Sequence, residues 1–165
     1  PGASRIGSIA EGFPSEIWIA IDAKTIMTEH GKARRNRQRD LNSFQDILHR
    51  KNARTIVGGL LVVNMAERFQ TPLARQAEGI TTHRNVDRLV TEIVSLMGGL
   101  PRATAFSGKQ GGLEALGVIV VSHSNVPGES TSLVTTAPAP ARDDRLSYAS
   151  FLRDLCVAFS TRFSR

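Results

Sequence analysis

An acid and a lysine stand one residue apart in Asp22-Ala23-Lys24, directly after the apolar run Ile17-Trp18-Ile19-Ala20-Ile21. That run, with Pro14 just before it, predicts a β-strand over residues 16–26, with the charged step at its far end. Successive strand side chains alternate faces, so Asp22 and Lys24 emerge together, about 7 Å apart along the strand. Ala20 precedes them on that face, and its small side chain leaves room beside them. Opposite charges on an interior strand are costly unless they are paired or put to use. The use is phosphoryl chemistry. A carboxylate can hold Mg²⁺, the Ala23 carbonyl can point at the same ion, and the Lys24 ammonium can steady an attacking water or a phosphate's growing charge. The competing reading is an ion pair at a strand end with no chemistry attached.

The charge around this step supports a polyanionic partner. The chain carries a formal charge of +6, and its pI is about 10.4. Between Asp22 and Arg54 nine Lys/Arg face four acids, so nearly all the excess lies just downstream of the acid-x-lysine step. A basic stretch of this kind is ordinarily a solvated face, and its position favours phosphate contact. Aromatic residues make up only 5% of the chain, which argues against stacking platforms for single strands.

The elements that must position these groups follow in order. Residues 5–10 predict a short strand, and residues 11–15 a turn that folds it into a hairpin with the 16–26 strand. Residues 28–32 predict a loop and residues 34–52 a helix. Leu41, Phe44 and Leu48 form its apolar seam, with Ile47 beside them; extended backwards, that seam reaches Arg37 and Arg34. Arg35 and Arg39 fall off the seam. Residues 55–64 are continuously apolar, as in a strand buried on both faces, so strand, helix and strand make a parallel crossover unit. A polar connection spans residues 65–84. A second helix follows Asn85 as N-cap and ends at Gly98-Gly99. Residues 116–122 predict another doubly buried strand, residues 126–146 an exposed loop rich in Ser, Thr, Pro and Ala, and residues 147–163 a final helix. The single cysteine, Cys156, sits on that helix's apolar side, where a buried thiol is the default. The whole predicts one domain over residues 1–165, an α/β sandwich of three layers with a central mixed sheet and helices on both faces. No stretch has membrane-spanning length and no secretory pattern is seen, so a cytoplasmic setting is expected.

Asp22-Ala23-Lys24, on an apolar strand followed by a basic helix and a buried parallel strand, resembles the second half of the PD-(D/E)XK signature of restriction-endonuclease-like nucleases. The likeness covers about residues 5–64. It implies a Mg²⁺-dependent endodeoxyribonuclease in which Mn²⁺ can substitute, acting on double-stranded DNA as a homodimer and without a small-molecule cofactor. The long loops, able to carry base-reading side chains, point within that class to a type II restriction endonuclease, with a repair or junction-cleaving nuclease as the alternative. The resemblance makes Asp22 and Lys24 the catalytic groups, Asp22 and the Ala23 carbonyl the metal ligands, and Arg34, Arg35 and Arg37 the holders of neighbouring phosphates.

One member of the signature has no counterpart. The family's earlier acid would fall near residues 1–6, where there is no carboxylate. Glu11 and Glu16 lie roughly 15–20 Å away along the hairpin, and Asp40 sits off the helical seam. The chain begins Pro1-Gly2, and the expectation is that the acid lies upstream of Pro1. The alternatives are an acid that has migrated and a degenerate site that only binds, which would make this a non-catalytic DNA-binding or assembly domain. Other motifs carry less. Residues 107–112 (Ser-Gly-Lys-Gln-Gly-Gly) have the wrong spacing for a phosphate-binding loop, and His30, His49, His83 and His123 show no metal-ligand spacing.

Overall fold

The apolar run over residues 55–64 becomes the strand that carries a neighbour on each edge and a helix on each face. The computed structural model describes residues 16–71, 79–103 and 111–163. Along them run β1 (Ile19–Ile26), α1 (His30–Lys51), β2 (Ile56–Asn64), β3 (Arg68–Gln70), β4 (Ile80–Thr82), α2 (Val86–Gly98), β5 (Ala115–Ser122), β6 (Ser132–Leu133) and α3 (Tyr148–Phe163). β2 lies between β1 and β5, parallel to both, and β6 returns antiparallel to β5. The result is a mixed sheet in the order β1-β2-β5-β6, with β3 and β4 forming a separate two-stranded ribbon.

Two adjacent glycines explain how β2 is covered on both sides. A Cβ on Gly58 would lie 3.2 Å from Phe151 and 3.4 Å from Leu155, both on α3. A Cβ on Gly59, pointing the other way, would lie 3.1 Å from Leu41 on α1. Both helices therefore sit closer to the strand than a larger residue would permit. On the α1 side, Val90, Ile93 and Met97 of α2 complete a core with Leu41, Leu61 and Leu116. On the other, Phe151, Leu155 and Ala158 of α3 pack on Ile56 and Ala115. The molecule is thus α/β with helices on both faces of a mixed sheet.

Several local expectations are revised. α1 begins at His30, inside the segment expected to be a loop, because the His30 ring is buried and Ala33 packs on the core. Glu29 ahead of it takes a left-handed conformation (φ 51°), which costs about 1–2 kcal/mol for a residue with a side chain. Asn85 occupies the start of α2 as expected, but at φ 55° and with no capping bond from its side chain. The 65–84 connection contains the β3–β4 ribbon, whose three-residue strands are too short to show a period. The long loop after β5 carries β6, tucks Val134 and Ala139 against the core, and ends in the buried Leu146. Cys156 is exposed, because α3 touches the sheet through the narrower stripe Phe151, Leu155 and Ala158. The strand and turn expected at residues 5–15, and residues 104–110 of the glycine-rich stretch, lie outside the described residues. No described helix is long and apolar enough to cross a membrane.

At the N-terminal ends of the parallel strands a buried carboxylate ties three elements together. The Glu114 side chain is 3% exposed. Its Oε2 accepts the Val57 backbone N–H at 2.8 Å, and Arg162 of α3 donates to Oε1. Arg162 also donates to the Thr55 carbonyl at 3.0 Å. His49 Nε2 of α1 stands 3.3 Å from Oε2. Burial alone would raise the Glu114 pKa, but the His49 contact, the Val57 N–H and Arg162 outweigh it and hold the carboxyl below 4.5.

Glu114→Ala leaves Arg162 and the Val57 N–H without their partner, and a loss of about 3–5 kcal/mol in unfolding free energy is expected from urea titration. Because the folded pKa is depressed, the carboxylate's contribution is complete above pH 4.5 and disappears as pH falls through the folded value. A variant as stable as the parent contradicts this assignment.

Candidate functional site

Asp22 and Lys24 lie side by side on the sheet face that looks towards α1. Asp22 pairs in register with Gly59, the residue that packs against Leu41, and Ile26 on the same face is buried. The Lys24 ammonium is 3.1 Å from Asp22 Oδ1, with the two side chains 30% and 15% exposed. The pair is half-buried at the sheet's margin. It is not at the end of the strand, because Thr25 and Ile26 continue the ladder against Val62 and Val63.

The backbone between them is informative. The Ile56 N–H donates to the Trp18 carbonyl at 2.8 Å, so in this parallel ladder the even-numbered residues of β1 turn their backbone groups towards β2. The carbonyls of Ala23 and Thr25 therefore point to the opposite edge. Arg37 of α1 reaches that edge, donating from Nε to the Thr25 carbonyl at 3.2 Å. The crossover helix thus places a guanidinium two residues from the Ala23 carbonyl.

The arginines of α1 divide into two sets. Arg34 is partly buried and paired with Glu92 of α2, which also takes Arg88; these two partners hold the Glu92 carboxyl below its usual range. Arg37 is shared between the Thr25 carbonyl and Asp40, the latter at 3.2 Å. Arg35 and Arg39 are exposed, and Arg39 donates to the Asn36 side chain. The helical seam predicts Arg34 and Arg37 pointing towards the sheet; Arg37 reaches β1, whereas Arg34 turns to α2, and Arg35 and Arg39 lie outwards. Sequence gave no sign that Glu92, on another helix, would engage Arg34.

As a cation site the step offers the Asp22 carboxylate and an outward-facing Ala23 carbonyl. Mg²⁺ commonly takes one or two carboxylates and completes its octahedron with waters and substrate phosphate oxygens, so this donor set fits the ion in its sparse form. Among the described residues no group of three or more His, Cys, Asp or Glu is placed to hold a metal. Asp40 is engaged by Arg37, Glu16 is exposed, and Glu11 lies outside the described residues.

The sequence reading passed over a second cluster, at the C-terminal ends of the strands. Asn64, fully buried, donates to the carbonyl of His123 at 2.8 Å and accepts from the N–H of Ala66 and of His123, both at 3.0 Å. His30 Nε2 lies 2.6 Å from the Asn64 carbonyl, and the His30 and His83 rings meet edge to face at 4.6 Å. His83 Nδ1 bonds the Ala66 carbonyl at 2.8 Å, while its Nε2 is buried without a partner. No spacing rule joins residues so far apart in the chain. The usable signal was a single asparagine closing an otherwise apolar strand.

Burial lowers the His30 pKa below 6.5; the bond to Asn64 opposes this in part, and the nearby His83 adds to it. His30 is therefore neutral in the fold at neutral pH, its stabilisation complete above pH 6.5 and lost as pH falls through the folded value. Urea midpoints measured from pH 7.5 to 5 should fall, and His30→Gln should flatten that dependence. Parallel pH profiles for the two proteins contradict the assignment.

The chain matches no protein-family model, no curated protein sequence and no solved structure.

Proposed function

We propose that this protein is a Mg²⁺-dependent endodeoxyribonuclease of the restriction-endonuclease-like kind, hydrolysing phosphodiester bonds in double-stranded DNA, and within that class a type II restriction endonuclease. One observation carries the reading. A half-buried carboxylate and ammonium lie 3.1 Å apart on the sheet face beneath a basic crossover helix, with the intervening carbonyl turned to the strand's outer edge.

Asp22 and the Ala23 carbonyl would hold the ion, which when bound supplies Lewis acidity and an acidified water. Lys24 positions the attacking water and balances charge on the scissile phosphate. Its contact with Asp22 at 3.1 Å fixes its position before substrate arrives. Arg35 and Arg39, exposed on the same helix, contact flanking phosphates, while Arg34 and Arg37 brace α1 against α2 and β1 and lend longer-range positive potential. Cutting both strands of a duplex calls for two such sites, hence a homodimer.

The rival is a non-catalytic DNA-binding or assembly domain. Two specific facts favour it: Asp22 and Lys24 satisfy each other directly, and no three-ligand metal cluster occurs among the described residues.

Supercoiled plasmid incubated with Mg²⁺ or Mn²⁺ separates the two. The parent protein is expected to nick it, and Asp22→Asn and Lys24→Ala to be slower by at least about a hundredfold while retaining cooperative unfolding. If parent and variants bind plasmid alike and none cuts, the catalytic reading fails. Arg35→Ala should weaken binding to all duplexes and reduce the slope of log K against log salt by about 1. An unchanged slope removes Arg35 from the phosphate contacts.

A further inference from the structure

The β3–β4 ribbon leads from the end of β2 to the start of α2, beside the first turn of α1. It therefore stands at the C-terminal end of the parallel strands, where open α/β sheets present their ligand sites. Arg68 pairs in register with Thr82, and Gln70 with Ile80. Opposed residues of an antiparallel pair share a face, so these four side chains form one block, and all four are exposed. The other face is the anchor: Phe69 is 7% exposed and its ring lies 5.9 Å from that of His123.

The ribbon is also tethered through its backbone. The Gln70 N–H donates to the Ser124 carbonyl, and its carbonyl accepts from the Asn125 side chain, both at 2.7 Å. The His83 N–H donates to the Glu67 carbonyl at 2.7 Å, and the hydroxyls of Thr71 and Thr81 meet at 3.0 Å. Because the backbone of Gln70 is already engaged, the outward edge of β3 is closed to an added strand at that residue, and what the ribbon offers is its side chains. A guanidinium, a carboxamide, a hydroxyl and an apolar branch are groups suited to guanine, adenine, either kind of base edge, and the thymine methyl. Around the block, the first three turns of α1, the ribbon and the first turn of α2 carry seven Lys/Arg against two acids among the described residues. The surface is tethered through its backbone, outward-facing and embedded in positive charge, and a two-stranded ribbon has the width the major groove admits.

We propose that the β3–β4 ribbon reads base sequence in double-stranded DNA, laying Arg68, Gln70, Ile80 and Thr82 against base edges in the major groove. The proposal rests on the DNA-binding part of the reading above and is independent of cleavage.

The test is metal-free selection of duplexes from a randomised pool, followed by affinities for a selected and a scrambled duplex at fixed salt. The parent should show a defined preference. Gln70→Ala and Arg68→Ala should each erode that preference by about 10- to 100-fold at one base position. Gln70→Ala removes no charge and should leave affinity for the scrambled duplex within about twofold, whereas Arg68→Ala weakens it as well. Both side chains are exposed, so both variants should unfold like the parent. A parent without sequence preference, or variants that keep it intact, overturns the ribbon's role even if plasmid is cut. Preference lost in the variants, with no cutting by the parent, upholds the ribbon and defeats the nuclease. No binding to duplex at all overturns both.

Discussion

The parallel pairing of β1 with β2 governs most of what this molecule can do. Parallel neighbours cannot be joined by a tight turn, so the chain must cross over the sheet, and here it does so as α1. The crossover lays a strongly basic helix over the face from which Asp22 and Lys24 emerge. β2 fixes the height of that helix, because Gly59 lets Leu41 descend onto the strand while Gly58 does the same for α3 on the reverse face. A larger side chain at either glycine would lift a helix and move its charges relative to the strand. The register of the ladder and the closeness of the packing thereby set the geometry of the candidate site.

The ends of the sheet are secured by contrasting means. At the N-terminal end of the strands Glu114, Arg162 and His49 form a buried polar knot that joins β2, α1 and α3. Such a knot contributes less to stability than its contacts imply, since desolvation offsets much of the attraction, but it is intolerant of losing a partner. At the other end Asn64 stitches β2 to the segment after β5, and His30 holds the first turn of α1 against β2. That second tie supports the left-handed Glu29 and so the point at which the basic helix begins. The same end carries the ribbon, so a fixed scaffold lies beneath both the charge and the exposed side chains of this surface.

Much of this was legible in the chain because it obeys short-range rules. Unbroken apolar runs marked β2 and β5, alternation placed Asp22 and Lys24 on one face, and the helical seam oriented Arg34 and Arg37. What escaped was set by partners distant in sequence or by segments too short to carry a period. Arg34 finds Glu92 fifty-eight residues away, and no local pattern foretells that a cation aimed inwards will be claimed by a neighbouring helix. The strands of the ribbon have three residues each, and their pairing depends on a loop after β5. Glu114 carries no local mark of its role, because its burial arises only when α1 and α3 close over it. Cys156 was misplaced since an apolar stripe on a helix shows which side faces the protein but not how wide the contact is.

The proposed activity depends on Asp22 and its neighbouring carbonyl forming a seat for a divalent cation. Backbone amide spectra recorded while Mn²⁺ is added in substoichiometric amounts examine that seat directly, because the ion broadens signals only from groups close to it. The prediction is selective loss of the residue 22–24 amide signals in the parent, abolished in Asp22→Asn. Broadening centred on other acids, or unchanged by that substitution, would contradict it and leave Asp22 and Lys24 as a simple ion pair.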